Sequence, residues 1–219
     1  MTTNLEQVRF NMIEQQIRTW DVLDPTVLEL LKHVPREDFV PTQYAGLAFA
    51  DLEIPIGHGQ SMLSPKLEAR IVQSVDLKPS DRVLEIGTGS GYMSALLAKL
   101  AGQVISVDCV ADFTAAARQK LAAHGISNAT LETGNAAKGW PAHAPYDVIV
   151  LGGSVPVLDP VLQASLAIGG RLFAVVGDAP VMCATLVRRV SETAFRSETL
   201  FETCVPELID APQPDRFVF

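Results

Sequence analysis

The chain has 219 residues, enough for one domain with a full core. Hydrophobic residues make up 48% and charged residues 19%, which excludes a disordered chain. With 17 basic against 25 acidic residues the net charge is −8, and no Lys/Arg run is present, so an enzyme that tracks a nucleic-acid backbone is disfavoured.

The first residues, MTTNLEQVRFNMIEQQ, are polar and amphipathic and lack an export signal's apolar core. No apolar run approaches the roughly 20 residues of a membrane span, so a soluble cytoplasmic protein is expected. Leu5 to Trp20 has helical spacing, with Leu5, Val8, Met12 and Ile13 on one side. Asp24 and Pro25 suit the cap and first position of a second helix that stops at Pro35. Arg36 to Ile56 reads as extended or irregular, interrupted by Pro41 and Pro55. Ser64-Pro65 opens a third helix that runs to about Val75. Asp81, Arg82 and Lys78 read as solvated loop charges.

From Asp81 the rhythm becomes strand, turn, helix, strand. Strands are expected at Arg82–Ile86, Gln103–Val107, Ala129–Thr133, Tyr146–Leu151 and Arg171–Val176, the last entered through Gly169-Gly170. Helices fall between them, through Leu100, at Ala111–His124 and at Val157–Leu166, and Leu186–Val190 and Thr199–Val205 read as two closing strands. Such alternation implies an α/β fold: a parallel sheet covered on both faces, with residues 81–219 as its core and residues 1–80 as a helical cap and loop. Cys109, Cys183 and Cys204 are far apart, with no CxxC pair or His/Cys cluster, so reduced core cysteines and no metal are expected.

The segment VLEIGTGSGYM, Val83 to Met93, carries the chemistry. An apolar strand holding one acid, Glu85, runs into Gly87, Gly89 and Gly91 at alternate positions, with Thr88 and Ser90 between them, and then a helix. Glycines there allow a tight turn and close approach of backbone to a ligand. Asp108 ends the next strand about 20 residues on, where a carboxylate can accept from both hydroxyls of a ribose. Gly134-Asn135-Ala136 follows the third strand, and Gly152-Gly153-Ser154 follows the fourth. A nicotinamide dinucleotide turn has the pattern G-x-G-x-x-G, whereas here Tyr92 stands at the third glycine position.

These motifs resemble the protein-L-isoaspartate (D-aspartate) O-methyltransferase family. VPREDFVP (Val34–Pro41), ADLEIPIGHGQ (Ala50–Gln60), VLEIGTGSGYMSALLA, PYDVIVLGG (Pro145–Gly153) and IGGRLFAVVG (Ile168–Gly177) follow its order and spacing, and the resemblance thins after Gly177. It implies a Rossmann-like fold with a mostly parallel seven-stranded sheet, flanking helices and an N-terminal helical cap. It also implies S-adenosylmethionine (SAM) as methyl donor, bound at Glu85, Gly87, Thr88, Gly89, Ser90, Gly91, Asp108, Asn135 and Ala136. The implied acceptor is the carboxylate of an isoaspartyl residue in a protein or peptide, whose methyl ester closes to a succinimide. The family's acceptor loop is of a Gln-Thr-Ile-Ser-x-Pro type with a catalytic Ser, and here it reads Gln60-Ser61-Met62-Leu63-Ser64-Pro65. Ser61 keeps a hydroxyl at the Thr position, Leu63 occupies the Ser position, and Ser64 follows, so Ser61 and Ser64 are the candidate catalytic residues. Ser64 reads more readily as the cap of the helix at Pro65 than as a displaced catalytic hydroxyl. Asn135 stands where the family has an Asp beside the adenine, and its carbonyl oxygen can still accept from an amine. His58 reads as a loop packing residue. Two alternatives accompany the resemblance: the same scaffold with another acceptor, a small molecule included, and a SAM-binding protein without catalysis. A nicotinamide-dependent oxidoreductase is a distant further reading.

Overall fold

The computed structural model describes residues 5–214; the one-domain expectation also takes in 1–4 and 215–219, which lie outside the described residues. α1 (Leu5–Met12) widens into a π-type turn at Ile13–Ile17 and tightens at Arg18–Trp20, so the expected first helix is continuous but changes pitch. α2 (Pro25–His33) starts as read: Asp24 Oδ1 accepts from the N–H groups of Thr26 and Val27 at 2.7 and 3.3 Å. Two 3-10 turns, Arg36–Asp38 and Thr42–Leu47, follow. β1 (Ile54–Gly57) and β2 (Gln60–Met62) then form an antiparallel hairpin whose tip, Gly57-His58-Gly59, has positive φ throughout. Strands this short carry no usable period-two signal in the sequence. α3 (Pro65–Val75) closes the N-terminal part.

Next come β3 (Arg82–Ile86), α4 (Tyr92–Leu100), β4 (Gln103–Asp108), α5 (Ala111–Ala123), β5 (Ala129–Thr133) and β6 (Tyr146–Val155). α6 (Pro160–Ala164), β7 (Leu166–Asp178), β8 (Val181–Arg189) and β9 (Phe195–Thr203) complete the chain of elements. The strand order is β5-β4-β3-β6-β7-β8-β9, with the first five parallel and the last two joined antiparallel. This is the mostly parallel seven-stranded sheet that the sequence implies.

Several boundaries differ, and β6 runs on to Val155. The helix expected at Val157–Leu166 is only α6, and β7 starts at Leu166, ahead of Gly169-Gly170. β8 and β9 begin earlier than expected, because antiparallel ladders from Asp178↔Val181 to Arg171↔Arg188 and from Met182↔Thr203 to Arg189↔Phe195 extend them. Cross-strand pairs set those lengths, and local composition does not reveal them.

The two faces of the sheet are covered unequally. Val83, Val104, Val148 and Val150 pack in one cluster with residues of α1 to α5, a thick helical layer. Leu84, Ile86, Ile105 and Ile149 alternate to the other face, where Leu162, Trp140, Leu208 and Ala211 form a thinner cover. Asp81 departs from its reading as a solvated charge: it is buried, and its Oδ2 accepts from the buried Arg171 at 2.6 Å and from the Lys78 N–H at 2.8 Å. The cysteines depart from the core placement too, with Cys109 and Cys204 exposed, Cys183 half-buried and all three free.

Candidate active site

The strand order reverses at β3: β4 and β5 lie to one side, β6 and β7 to the other. A ligand crevice is expected outside the C-terminal end of β3 for that reason. The turn there is tied on both sides. Gly87 N–H donates to the Val107 carbonyl at 2.8 Å, and Gly89 N–H donates to Asp108 Oδ2 at 2.9 Å. Gly87, Gly89 and Gly91 all have positive φ, and a Cβ on Gly91 would sit 2.8 Å from Ala117 Cβ. A side chain at that position would push α5 away from the start of α4.

Under the turn lies a buried polar network. Glu85 is fully buried, and Ser94 Oγ donates a short hydrogen bond to its Oε2. Ser94 Oγ is 3.2 Å from Ser106 Oγ, which is 2.6 Å from Thr88 Oγ1. Burial pushes the Glu85 carboxyl up to about 7; the Ser94 and Ser106 hydroxyls oppose that shift and Asp108 adds to it. Glu85 Oε1 has no hydrogen-bond partner among the described residues. A buried acceptor in that state is costly unless something outside the chain satisfies it.

In front of the turn is an open cleft of about 540 Å³, its mouth included. Gly87, Gly89, Asp108, Asn135, Ala136 and Ser61 line it, as do Ile56 and Gln60 of the hairpin and Leu208 and Ile209 of the C-terminal segment. A recess of about 310 Å³ adjoins it, lined by Thr88, Ser90, Leu63 and Glu68 among others. Ile56, Ser61, Gly87, Gly89 and Gly152 line both. The structure therefore brings most of the sequence-predicted residues to one cleft. Three stand apart from the lining: Glu85 behind the turn, Gly91 at the start of α4, and Ser64 at the start of α3. Ser64 contributes its carbonyl to α3, accepting from Leu67 and Glu68, and its hydroxyl makes no cap bond.

The acceptor loop is held from behind by Arg36, which is buried. Its Nη2 donates to the Leu63 carbonyl at 2.7 Å, its Nε to the Ala48 carbonyl at 2.8 Å, and its Nη1 pairs with the buried Glu68 carboxylate. Burial pulls the Arg36 guanidinium down to about 10. His58, at the hairpin tip, has Nε2 3.2 Å from Asp112 Oδ2 and meets the Phe113 ring edge-on at 5.3 Å. That contact is the packing role read for it.

Sequence reasoning missed the C-terminal segment. After β9 the chain returns across the end of β6: Ser154 N–H donates to the Pro206 carbonyl and Leu208 N–H to the Ser154 carbonyl, each at 2.9 Å. Gly152 and Gly153 make this approach possible. A Cβ on Gly152 would lie 2.8 Å from the Gly87 carbonyl oxygen, and one on Gly153 would lie 2.9 Å from that of Pro206. The Gly152-Gly153 pair at the end of an apolar strand was the available signal; what it accommodates is visible only in three dimensions.

A G-x-G-x-G turn at the switch point of a seven-stranded sheet whose last two pairings are antiparallel, with a carboxylate at the next strand end, is the arrangement of a Rossmann-like SAM-dependent methyltransferase. The family model for protein-L-isoaspartate(D-aspartate) O-methyltransferase matches residues 7–206, well past Gly177. The chain belongs to that family. It is 40% identical over 221 aligned residues to protein-L-isoaspartate O-methyltransferase 1 of Rhodopseudomonas palustris, covering 97% of this chain and 90% of that one. It is 39% identical to protein-L-isoaspartate O-methyltransferase 2 of Pelobacter propionicus, covering 90% and 88%. Two solved structures share the fold. A protein-L-isoaspartate O-methyltransferase superposes with a TM-score of 0.78 at 23% identity, over 93% of this chain and 65% of that longer one. A Plasmodium falciparum chain in complex with S-adenosyl-L-homocysteine superposes with a TM-score of 0.77 at 19% identity, over 94% and 98%.

Proposed function

We propose that the protein methylates the free carboxylate of isoaspartyl residues in proteins or peptides, in the cytoplasm, with residues 1–219 acting as one methyltransferase domain. The observation that carries the reading is the two-part cleft, in which a cofactor part and an acceptor part meet at Ser61, Gly87, Gly89 and Gly152. The residues fit the cofactor. Asp108 spends one lone pair of each oxygen on Gly89 and Val110 N–H groups, which leaves capacity for ribose hydroxyls. Asn135 and Ala136 take the adenine end. Glu85 lies behind the turn with its Oε1 unpartnered, and the backbone of Gly87, Thr88, Gly89, Ser90 and Gly91 allows close approach.

SAM supplies an electrophilic methyl group on a sulfonium. The acceptor carboxylate is ionised at neutral pH, so the protein needs no strong base. Its task is to align the two reactants and to donate hydrogen bonds to the carboxylate. Ser61 Oγ is the hydroxyl shared by both parts of the cleft and takes the donor role. Ser64, outside both parts, supports the loop at the start of α3. Leu63 at the family's Ser position favours one second reading, a small-molecule carboxylate as acceptor.

Replacing Ser61 by Ala tests the donor role. The expected result is a kcat for methyl transfer lower by at least about tenfold with the SAM dissociation constant unchanged. An unchanged kcat overturns it.

A further inference from the structure

The family-model match ends at residue 206, yet the next few residues complete the cofactor cleft. Leu208 and Ile209 line it, and Asp210 reaches across to the third-strand end, where its Oδ2 accepts from Asn135 Nδ2 at 3.0 Å. On the other side of the same amide, Asn135 Oδ1 accepts from the Ala137 N–H at 3.0 Å. Asp210 holds this position with φ of 58°, a left-handed conformation that non-glycine residues adopt rarely. Ala211 N–H donates to the Leu208 carbonyl at 3.1 Å and closes the turn that presents it.

An Asn side chain can ordinarily rotate by half a turn and exchange donor for acceptor. Here it cannot. A carboxylate only accepts, so the NH2 end must face Asp210, and an N–H only donates, so the oxygen must face Ala137. Asn135 is left with one spare donor and one spare acceptor in fixed places. That pair complements adenine, whose exocyclic amine donates beside a ring nitrogen that accepts. Hypoxanthine presents the reverse, a carbonyl acceptor beside an N–H donor, and would need the amide flipped.

We propose that Asp210 is a specificity-determining positioning residue: by locking the Asn135 amide it makes the cleft select an adenine base. The inference rests on the SAM reading above. Its consequence is that removal of Asp210 takes away one of the two contacts that fix the amide, leaving only the Ala137 N–H, and so weakens the preference for adenine.

The test is calorimetric titration of the full chain, and of its Asp210→Ala and Asp210→Asn variants, with S-adenosylhomocysteine and S-inosylhomocysteine. The unsubstituted protein is expected to prefer the adenosyl ligand, and each variant to lose that preference by roughly fivefold or more, the worth of about one hydrogen bond. Asp210 is exposed, and Asp210→Asn keeps its shape, so unfolding does not stand in for the effect. A structural role of the C-terminal segment would weaken both ligands equally and leave the ratio unchanged, and that result overturns the inference alone. Failure of the unsubstituted protein to bind S-adenosylhomocysteine overturns the cofactor reading and the inference with it.

Discussion

Arg36 is the residue whose loss should tell most about how the acceptor loop is held. It is 1% exposed and Glu68 is 2% exposed. Arg36→Met keeps an unbranched side chain but removes every donor. The carbonyls of Ala48 and Leu63 then lose a buried partner, at roughly 1–3 kcal/mol each. Glu68 becomes an unpaired buried charge, at about 3–5 kcal/mol. These sums approach the whole stability of a typical domain, about 5–15 kcal/mol, so the single variant should unfold in very little urea. Adding Glu68→Met removes the charge and should restore about 3–5 kcal/mol, although the two carbonyls stay unsatisfied. Urea unfolding of the wild type, both single variants and the double variant, compared at constant slope, closes the cycle. A double variant no more stable than Arg36→Met would refute the reasoning, because the cost would then lie in lost packing and not in the stranded carboxylate.

The raised Glu85 carboxyl has a pH signature. Its folded pKa of about 7 exceeds the ordinary carboxyl value of 4.5, so the folded state binds the proton more tightly than the unfolded state. The stability it contributes is complete below about pH 4.5 and is lost as pH rises through 7, on the order of 3 kcal/mol in all. Thermal unfolding of Glu85→Gln should lack that decline, and parallel pH profiles for the two proteins would contradict the assignment. Gly153→Ala should push the C-terminal segment off β6, since its Cβ would meet the Pro206 carbonyl oxygen at 2.9 Å and Leu208 Cδ2 at 3.0 Å. The amide of Leu208 should then exchange faster in deuterium, by an amount matching roughly 1–3 kcal/mol of overpacking; unaltered exchange would mean that the segment yields freely. Asp108→Ala should weaken SAM by roughly 1–3 kcal/mol in titration calorimetry, and unchanged affinity would remove Asp108 from the ribose.

The readable parts of this molecule were those encoded locally. The strand VLEI, the three glycines and the Tyr92–Leu100 helix are contiguous, so the turn and its place in a parallel sheet followed from the order of residues. Asp108 was legible for the same reason, as the first polar residue after the next apolar strand. Leu208, Ile209 and Asp210 were not, because they enter the site from beyond β9 and act through contacts about 50 to 75 residues distant in sequence. Arg36 and Glu68 were likewise silent: a charged residue near a proline or in a helix looks solvated until the fold buries both together. Glu85 falls between the two cases. Its presence in an apolar strand marked it as special, but only the structure places its carboxylate behind the turn, half satisfied by Ser94.

The most direct measurement is methyl transfer from labelled SAM to an isoaspartyl peptide and to the matching aspartyl peptide, with label followed as a base-labile ester. Incorporation is expected into the isoaspartyl peptide, with little or none into its aspartyl twin. SAM binding without label on the isoaspartyl peptide would contradict it, and a Leu63→Ser variant that then gained the activity would trace the loss to the missing hydroxyl.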